Sequence, residues 1–178
     1  MVQDGLRTNN PLYQYASSVG VYHCPGDTRI KKSTMGDGWA YDSYSKSQNV
    51  GGESYDTYWG AGATFLKTGA IRNPSQTFIF LEDADNRNRN LGAWVARWDT
   101  GGATFNWEDP VAMYHGNISC SAFADGHAEG HKWKNSVIIA AALRAANGFP
   151  PGLVGTSSAS TTPDSTFIHD NYRFPGWK

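Results

Sequence analysis

The residues of this 178-residue chain whose types could do chemistry fall into two groups. The first comprises His115, Asp125, His127 and His131, in the stretch His115-Gly-Asn-Ile-Ser-Cys-Ser-Ala-Phe-Ala-Asp125-Gly126-His127-Ala-Glu-Gly-His131-Lys-Trp133. Histidines beside a carboxylate are a familiar zinc set, but the spacing opposes it. Asp-Gly between two alternating segments signals a hairpin, because a type I′ turn needs φ > 0 at both central residues. Strands rise about 3.3 Å per residue, which sets His127 and His131 roughly 13 Å apart and His115 and Asp125 roughly 33 Å apart. Ligands of one zinc ion lie about 2 Å from it, so no transition-metal site is predicted from His115, His127 and His131. The pattern reads as a fold fingerprint, with a strand entry at one end and a turn at the other.

A two-residue turn pairs Ala124 with His127, Ala122 with Glu129, Cys120 with His131 and Ile118 with Trp133, all on one face. The other face, with Asn117, Ser119, Ser121, Phe123, Lys132 and Lys134, is then mostly solvated.

The second group is acidic. Glu82, Asp83 and Asp85 follow the apolar run Thr77-Phe-Ile-Phe-Leu81, and three readings of them stay open. They could form a solvated acidic loop. Asp83 and Asp85 could offer hard oxygen ligands to calcium. Glu82 and Asp83 could be the acid and base of a glycoside hydrolase. The last reading requires the strand to have ended, since neighbouring strand residues point to opposite faces. It also requires a partner carboxylate among Asp56, Asp99, Glu108, Asp109 and Glu129. Asp37, in Met35-Gly-Asp-Gly38, suits a turn.

Seven Trp and nine Tyr exceed what a small core needs. Trp39, Tyr41, Tyr44, Tyr55, Tyr58 and Trp59 lie in glycine-rich sequence, where Trp39, Tyr58 and Trp59 are candidates to stack on a polysaccharide. The opposing reading is burial, where large aromatic rings usually end. There is no Gly-x-Ser-x-Gly, His-Glu-x-x-His, phosphate-loop or Cys-x-x-Cys pattern, which weakens serine-hydrolase, zinc-protease, nucleotide and redox readings. Cys24 and Cys120 could pair, although sequence cannot establish a disulfide. Cys120 opposite His131 could form a thiolate pair, but its mid-strand position predicts a buried, inert thiol.

These residues need elements to position them. Residues 1–18 read as the end of a helix and its exit, with Pro11 as a breaker. Residues 20–27 form a short extended piece closed by a Pro-Gly turn. Residues 31–58 show no period and are predicted to be an ordered, irregular surface loop. Residues 77–81, introduced by Asn73-Pro74-Ser75, are the clearest buried strand, and 92–98 a second. A helix spans 137–146, capped by Asn135 or Ser136 and stopped by Asn147-Gly148 and two prolines. Residues 152–164 are rich in Ser and Thr and are predicted to be a flexible loop.

The length suits one domain, 1–178, with a real core. Net charge is −1, which gives no electrostatic footprint for nucleic acid and no polybasic membrane patch. No apolar run approaches the roughly 20 residues of a membrane helix, and no signal peptide is visible. A low charged fraction with 20 glycines suits a loop-rich extracellular domain.

Four ordered blocks carry a resemblance. Tyr22-His-Cys24-Pro25-Gly-Asp27 resembles a Tyr-x-Cys-Pro-x-Asp segment. Asn73-Pro74-Ser75-Gln-Thr-Phe-Ile-Phe-Leu81-Glu82-Asp83 resembles a Pro-Ser-x-Thr strand with an acidic end. Trp107-Glu-Asp-Pro110 leads to His115. The stretch through Phe123-Ala-Asp125-Gly126-His127 to Trp133 is similar to a His-x9-Asp-Gly signature. Together they resemble a bacterial family of prepilin-like, type II secretion pseudopilin-like proteins.

The resemblance implies an α+β pseudopilin-like head, with an antiparallel sheet and long aromatic-rich loops. In it His115, Asp125, Gly126, His127 and Trp133 are fold signature rather than chemistry. It also implies a full-length protein anchored in the inner membrane by a hydrophobic N-terminal helix, which this chain lacks. Residues 1–18 would be the remnant of that helix, and the truncated chain makes no membrane contact. The head would lie on the periplasmic or extracellular face. Other pseudopilins or secreted cargo are the implied partners. Calcium is the only cofactor entertained, since major pseudopilins bind it. A structural role without strong enzymatic activity is the expectation, with a glycoside hydrolase or glycan-binding module on the same head as the alternative.

Overall fold

The structure, a computed structural model, describes residues 2–32, 40–51, 64–84, 93–98, 104–147, 149, 156–158 and 162–176. The strands are β1 (Tyr44–Ser47), β2 (Phe78–Glu82), β3 (Ala93–Trp94), β4 (Ala96–Trp98), β5 (Thr104–Trp107), β6 (Ile118–Phe123), β7 (Ala128–Lys132) and β8 (Thr156–Ser158). The helices are α1 (Val2–Asn9), α2 (Ser136–Ala146) and α3 (Pro163–Asn171). A five-stranded sheet has the order β3-β1-β2-β6-β7, and a three-stranded sheet the order β4-β5-β8. The class is α+β. The larger sheet is mixed rather than antiparallel, because the two-residue β3 runs parallel to β1. Among the described residues, no helix is long and apolar enough to cross a membrane.

β2 forms where the turn chemistry and apolar run predict it. Pro74 starts a 3-10 turn, and the Thr77 hydroxyl donates to Asn73 O at 2.8 Å, closing that turn. Phe78 is fully buried, which is worth about 1.5–3 kcal/mol. Asn135 caps α2, its side-chain oxygen accepting from the Val137 and Ile138 amides. α2 then buries Ile138, Ala141, Ala142 and Ala145, the i, i+3, i+4, i+7 stripe of a core-facing helix. One apolar core joins both sheets and both C-terminal helices. It contains Phe78 and Leu81 from β2, Trp94 from β3, Trp107 from β5, Phe123 from β6, Ile138 from α2 and Ile168 from α3.

The hairpin of β6 and β7 is present, with a register one residue from expectation. Ile118 pairs with Lys132, Ser119 with His131, Cys120 with Gly130, Ser121 with Glu129 and Ala122 with Ala128. The loop has three residues, Ala124 to Gly126. The Phe123 amide donates to His127 O at 2.9 Å, and the Gly126 amide donates to Phe123 O at 3.0 Å. Gly126 has φ +94°, where an L-residue is strained. A third strand segment decides between the loop lengths, because the Ala124 amide donates to Thr77 O beside β2. A one-residue shift changes which residues share a face. The shift sets Ser119 and Ser121 opposite His131 and Glu129, and the β6 face of Ser119, Ser121 and Phe123, predicted to be solvated, is the buried one, while β7 is the exposed edge.

Asp125 receives the His127 amide at 3.1 Å and lies 2.6 Å from its Nδ1. The hydrogen bond from the His127 side chain holds the Asp125 carboxyl below its ordinary range, with the amide adding to the effect. A depressed carboxylate stabilises the turn above its unfolded pKa, and that contribution is lost as pH falls through the lower folded value. Replacing His127 by Ala is expected to raise the Asp125 carboxyl pKa toward about 3.9. A carboxyl NMR titration checks this, and an unmoved Asp125 resonance would remove the pairing.

Other predicted elements change. Val19–Tyr22 is a 3-10 turn rather than an extended piece. The expected strand over 92–98 divides into β3 and β4 around Val95, whose amide donates to the Asp109 carboxylate and whose carbonyl accepts from the Asp109 amide. Within the expected irregular loop, β1 pairs with β2. Within the expected flexible loop 152–164, β8 pairs with β5, and Thr162 caps α3 by accepting from the Ser165 amide. Asp164, also in that segment, is buried. It accepts from the Lys134 and Asn135 amides and faces His131 Nε2 at 3.0 Å.

Candidate functional site

The Cys24-Pro25-Gly26-Asp27 turn is closed by the Asp27 amide donating to Cys24 O. It packs directly on the backbone at Tyr114. A Cβ on Gly26 would stand 2.6 Å from Tyr114 O, so only glycine allows that approach. The turn thereby places Cys24 beside His115. The Cys24 amide donates to Ser43 Oγ, which itself donates to Asp27 Oδ2 at 2.8 Å. Arg29 grips the same Asp27 carboxylate through Nε and Nη2, and Nη2 also donates to Asp42 O and Asp83 O. Glu82 ends β2 directly opposite Tyr44 on β1. Its Oε2 accepts the Cys120 amide at 2.9 Å, which orients the other oxygen, Oε1.

Three side chains from distant segments meet here. Cys24 Sγ lies 3.2 Å from His115 Nε2, and Glu82 Oε1 lies 3.4 Å from that same nitrogen. The three atoms all fall within 4.8 Å of one another. Cys24 and Glu82 are each 1% exposed, whereas the His115 side chain is 47% exposed and opens the cluster to solvent. Glu82 Oε1 is buried without a well-formed hydrogen bond, and its polar neighbours are the Cys24 thiol and His115 Nε2.

Burial pushes the Cys24 thiol up; the Gly26 amide offsets part of this, and the Glu82 carboxylate adds to it. Burial and Glu82 raise Cys120 likewise. Tyr44 is pushed up to about 12 by burial, with Cys24 and Glu82 contributing. Without a cation, Cys24 is a protonated thiol at neutral pH and a weak nucleophile. A catalytic relay would place thiol and carboxylate on different imidazole nitrogens; here both crowd Nε2. The arrangement suits holding a cation better than attacking a carbonyl.

The other predicted site residues are dispersed. Asp83 is buried rather than presented by a loop. Its Oδ2 accepts from Ser45 Oγ at 2.8 Å, and its backbone forms an isolated bridge to Val111. Glu82 is likewise buried, at the end of β2, and among the described residues neither carboxylate is presented to solvent. A shallow groove with Gln76, Phe167 and Asp170 in its lining lies by α3, at the opposite end of β2 from Glu82. Trp39, Tyr55, Tyr58, Trp59 and Asp85 lie outside the described residues. Tyr41 stacks on His23 with ring centroids 5.0 Å apart. His127 stacks on Phe123, and His131 on Phe167. Trp133 is buried in the core.

Cys24 and Cys120 are both free thiols. Cys120 faces Gly130 across the hairpin rather than His131. The grouping of Cys24, Glu82 and His115 was not anticipated from spacing, although each residue belongs to one of the four motif blocks. That shared membership was the available signal. No protein-family model, curated protein or solved structure gave a match to the chain.

Proposed function

We propose that the chain is the globular head of a pseudopilin-like protein, a structural or cargo-contacting part of a type II secretion-like assembly. One observation supports this reading: among the described residues, the motif blocks at Cys24–Asp27, the end of β2 and His115 meet as a buried framework rather than around a cleft. Asp27, Glu82 and Asp83 are all buried, and they hold Cys24-Pro-Gly-Asp27, the end of β2 and the turn at Tyr114–His115 against one another. Residues used this way specify a shape, which is what a packing subunit needs. The partners under this proposal are other pseudopilins or secreted cargo, on the periplasmic or outer face of a membrane.

Two carboxyls for glycoside hydrolysis should stand about 5–10 Å apart across an open groove. The buried positions of Glu82 and Asp83 do not favour that alternative. Deleting the gene in its native bacterium and measuring the proteins released to the medium tests the proposal. Loss of released proteins, restored by the wild-type gene, is expected. An unchanged medium would overturn the secretion role, and turnover of a polysaccharide by the purified chain would overturn the purely structural one.

A further inference from the structure

We propose that Cys24, Glu82 and His115 form a binding site for one divalent transition-metal ion of the zinc class. The geometry already approximates that of a loaded centre. Zinc takes sulfur at about 2.3 Å and imidazole nitrogen or carboxylate oxygen at about 2.0–2.2 Å. Tetrahedral angles then set S···N near about 3.6 Å and N···O near about 3.4 Å. The observed S···N and N···O values are 3.2 and 3.4 Å, and the third edge, from sulfur to carboxylate oxygen, lies within 4.8 Å, so an ion seats by drawing the thiol and the carboxylate toward each other. Three protein ligands with one side open is the pattern of zinc centres that keep a position for water or substrate.

Glu82 supplies an independent reason. A carboxylate oxygen buried without a well-formed hydrogen bond is costly, and Oε1 is such an atom. It points at the thiol and imidazole, where a cation would satisfy it. The surrounding contacts resemble those that orient metal ligands. The Cys120 amide fixes the other Glu82 oxygen, and Ser43 Oγ fixes the Cys24 amide. A sulfur, a nitrogen and a single carboxylate select zinc or cobalt over calcium, which takes six to eight oxygens. On loading, the Cys24 proton passes to solvent as the thiolate binds. The site is independent of any secretion role.

The whole chain is dialysed against Zn²⁺ and analysed for bound metal, and Co²⁺ is then substituted as a spectroscopic probe. One zinc per chain is expected, with cobalt giving a thiolate charge-transfer band in the near ultraviolet. At a hundredfold excess of free zinc over its dissociation constant, the melting temperature rises by about 5–10 °C. Cys24→Ser abolishes the charge-transfer band, whereas Cys120→Ser retains it. His115→Ala, at a half-exposed position where folding is not at risk, weakens zinc binding at least about tenfold. Millimolar calcium does not displace the cobalt. Far-UV circular dichroism verifies that each variant is folded. Absence of stoichiometric zinc, a band that survives Cys24→Ser but not Cys120→Ser, or wild-type affinity in His115→Ala would overturn the proposal.

Discussion

Replacing Arg29 by Ala lowers the free energy of unfolding by about 3–5 kcal/mol, the range for breaking a buried ion pair from one side. Arg29 is 1% exposed. Its guanidinium meets both oxygens of Asp27 at 2.8–3.1 Å and also donates to Asp42 O at 2.9 Å and Asp83 O at 3.1 Å. It lies 5.6 Å from the centroid of the Tyr114 ring. One side chain therefore joins the Cys-Pro-Gly-Asp turn, the entry to β1, the end of β2 and the turn before His115. Burial is the largest single influence and disfavours its charge, yet Asp27, Tyr114 and Asp83 together outweigh it and raise the Arg29 pKa. Removing the cation leaves a buried carboxylate and two carbonyls without it.

Urea unfolding of the wild type and Arg29→Ala measures the loss as a lower midpoint at constant slope. The double variant Asp27→Leu with Arg29→Met, apolar on both sides, should recover much of the loss, because an unpaired buried charge costs more than no charge. A single-variant loss under 1 kcal/mol would show that the network contributes little to folding.

Trp133→Ala is expected to cost about 3–5 kcal/mol, as for other large-to-small changes of buried aromatic residues. The Trp133 ring is 1% exposed. It meets Trp107 and Phe167 edge-on, with centroids 6.2 and 6.1 Å away, and His131 at 4.6 Å. It therefore links β5, β7 and α3. Its indole N–H donates to the buried Ser119 Oγ at 2.6 Å, so truncation removes apolar area and a polar partner together. Trp133→Phe separates the two effects. It preserves much of the packing but loses the hydrogen bond, for about 1–3 kcal/mol. Equal losses in the two variants, or a loss in Trp133→Ala no larger than at an exposed position, would contradict this account.

Local chemistry in the sequence accounts for the elements that formed as expected. Asn73-Pro74-Ser75 before an apolar run makes β2, Asn135 before a periodic apolar stripe makes α2, and Asp125-Gly126 makes a hairpin. Each signal acts within a few residues of chain. β1 had no such signal. Tyr44-Ser-Lys-Ser47 lacks an apolar alternation, and its buried positions are Ser45 and Ser47. Ser45 is accommodated because its hydroxyl finds the Asp83 carboxylate across the sheet. β8 lay within a Ser/Thr-rich segment, and only its pairing with β5 makes it a strand.

By itself, the sequence determined an α+β chain with a turn at Asp125-Gly126, the capped helix α2 and the buried strand β2. Turn preferences, capping and hydrophobic periodicity are properties of neighbouring residues. Tertiary structure decided the rest. A hydrogen bond from the Ala124 amide to Thr77 O accompanies a hairpin loop one residue longer, which sets Ser119 and Ser121 opposite His131 and Glu129. The approach of Gly26 to Tyr114 brought Cys24 to His115, 91 positions along the chain, and β2 delivered Glu82 to both. Such meetings depend on strand register and on which backbones can touch. Those are properties of the packed chain, and no spacing within a single segment encodes them.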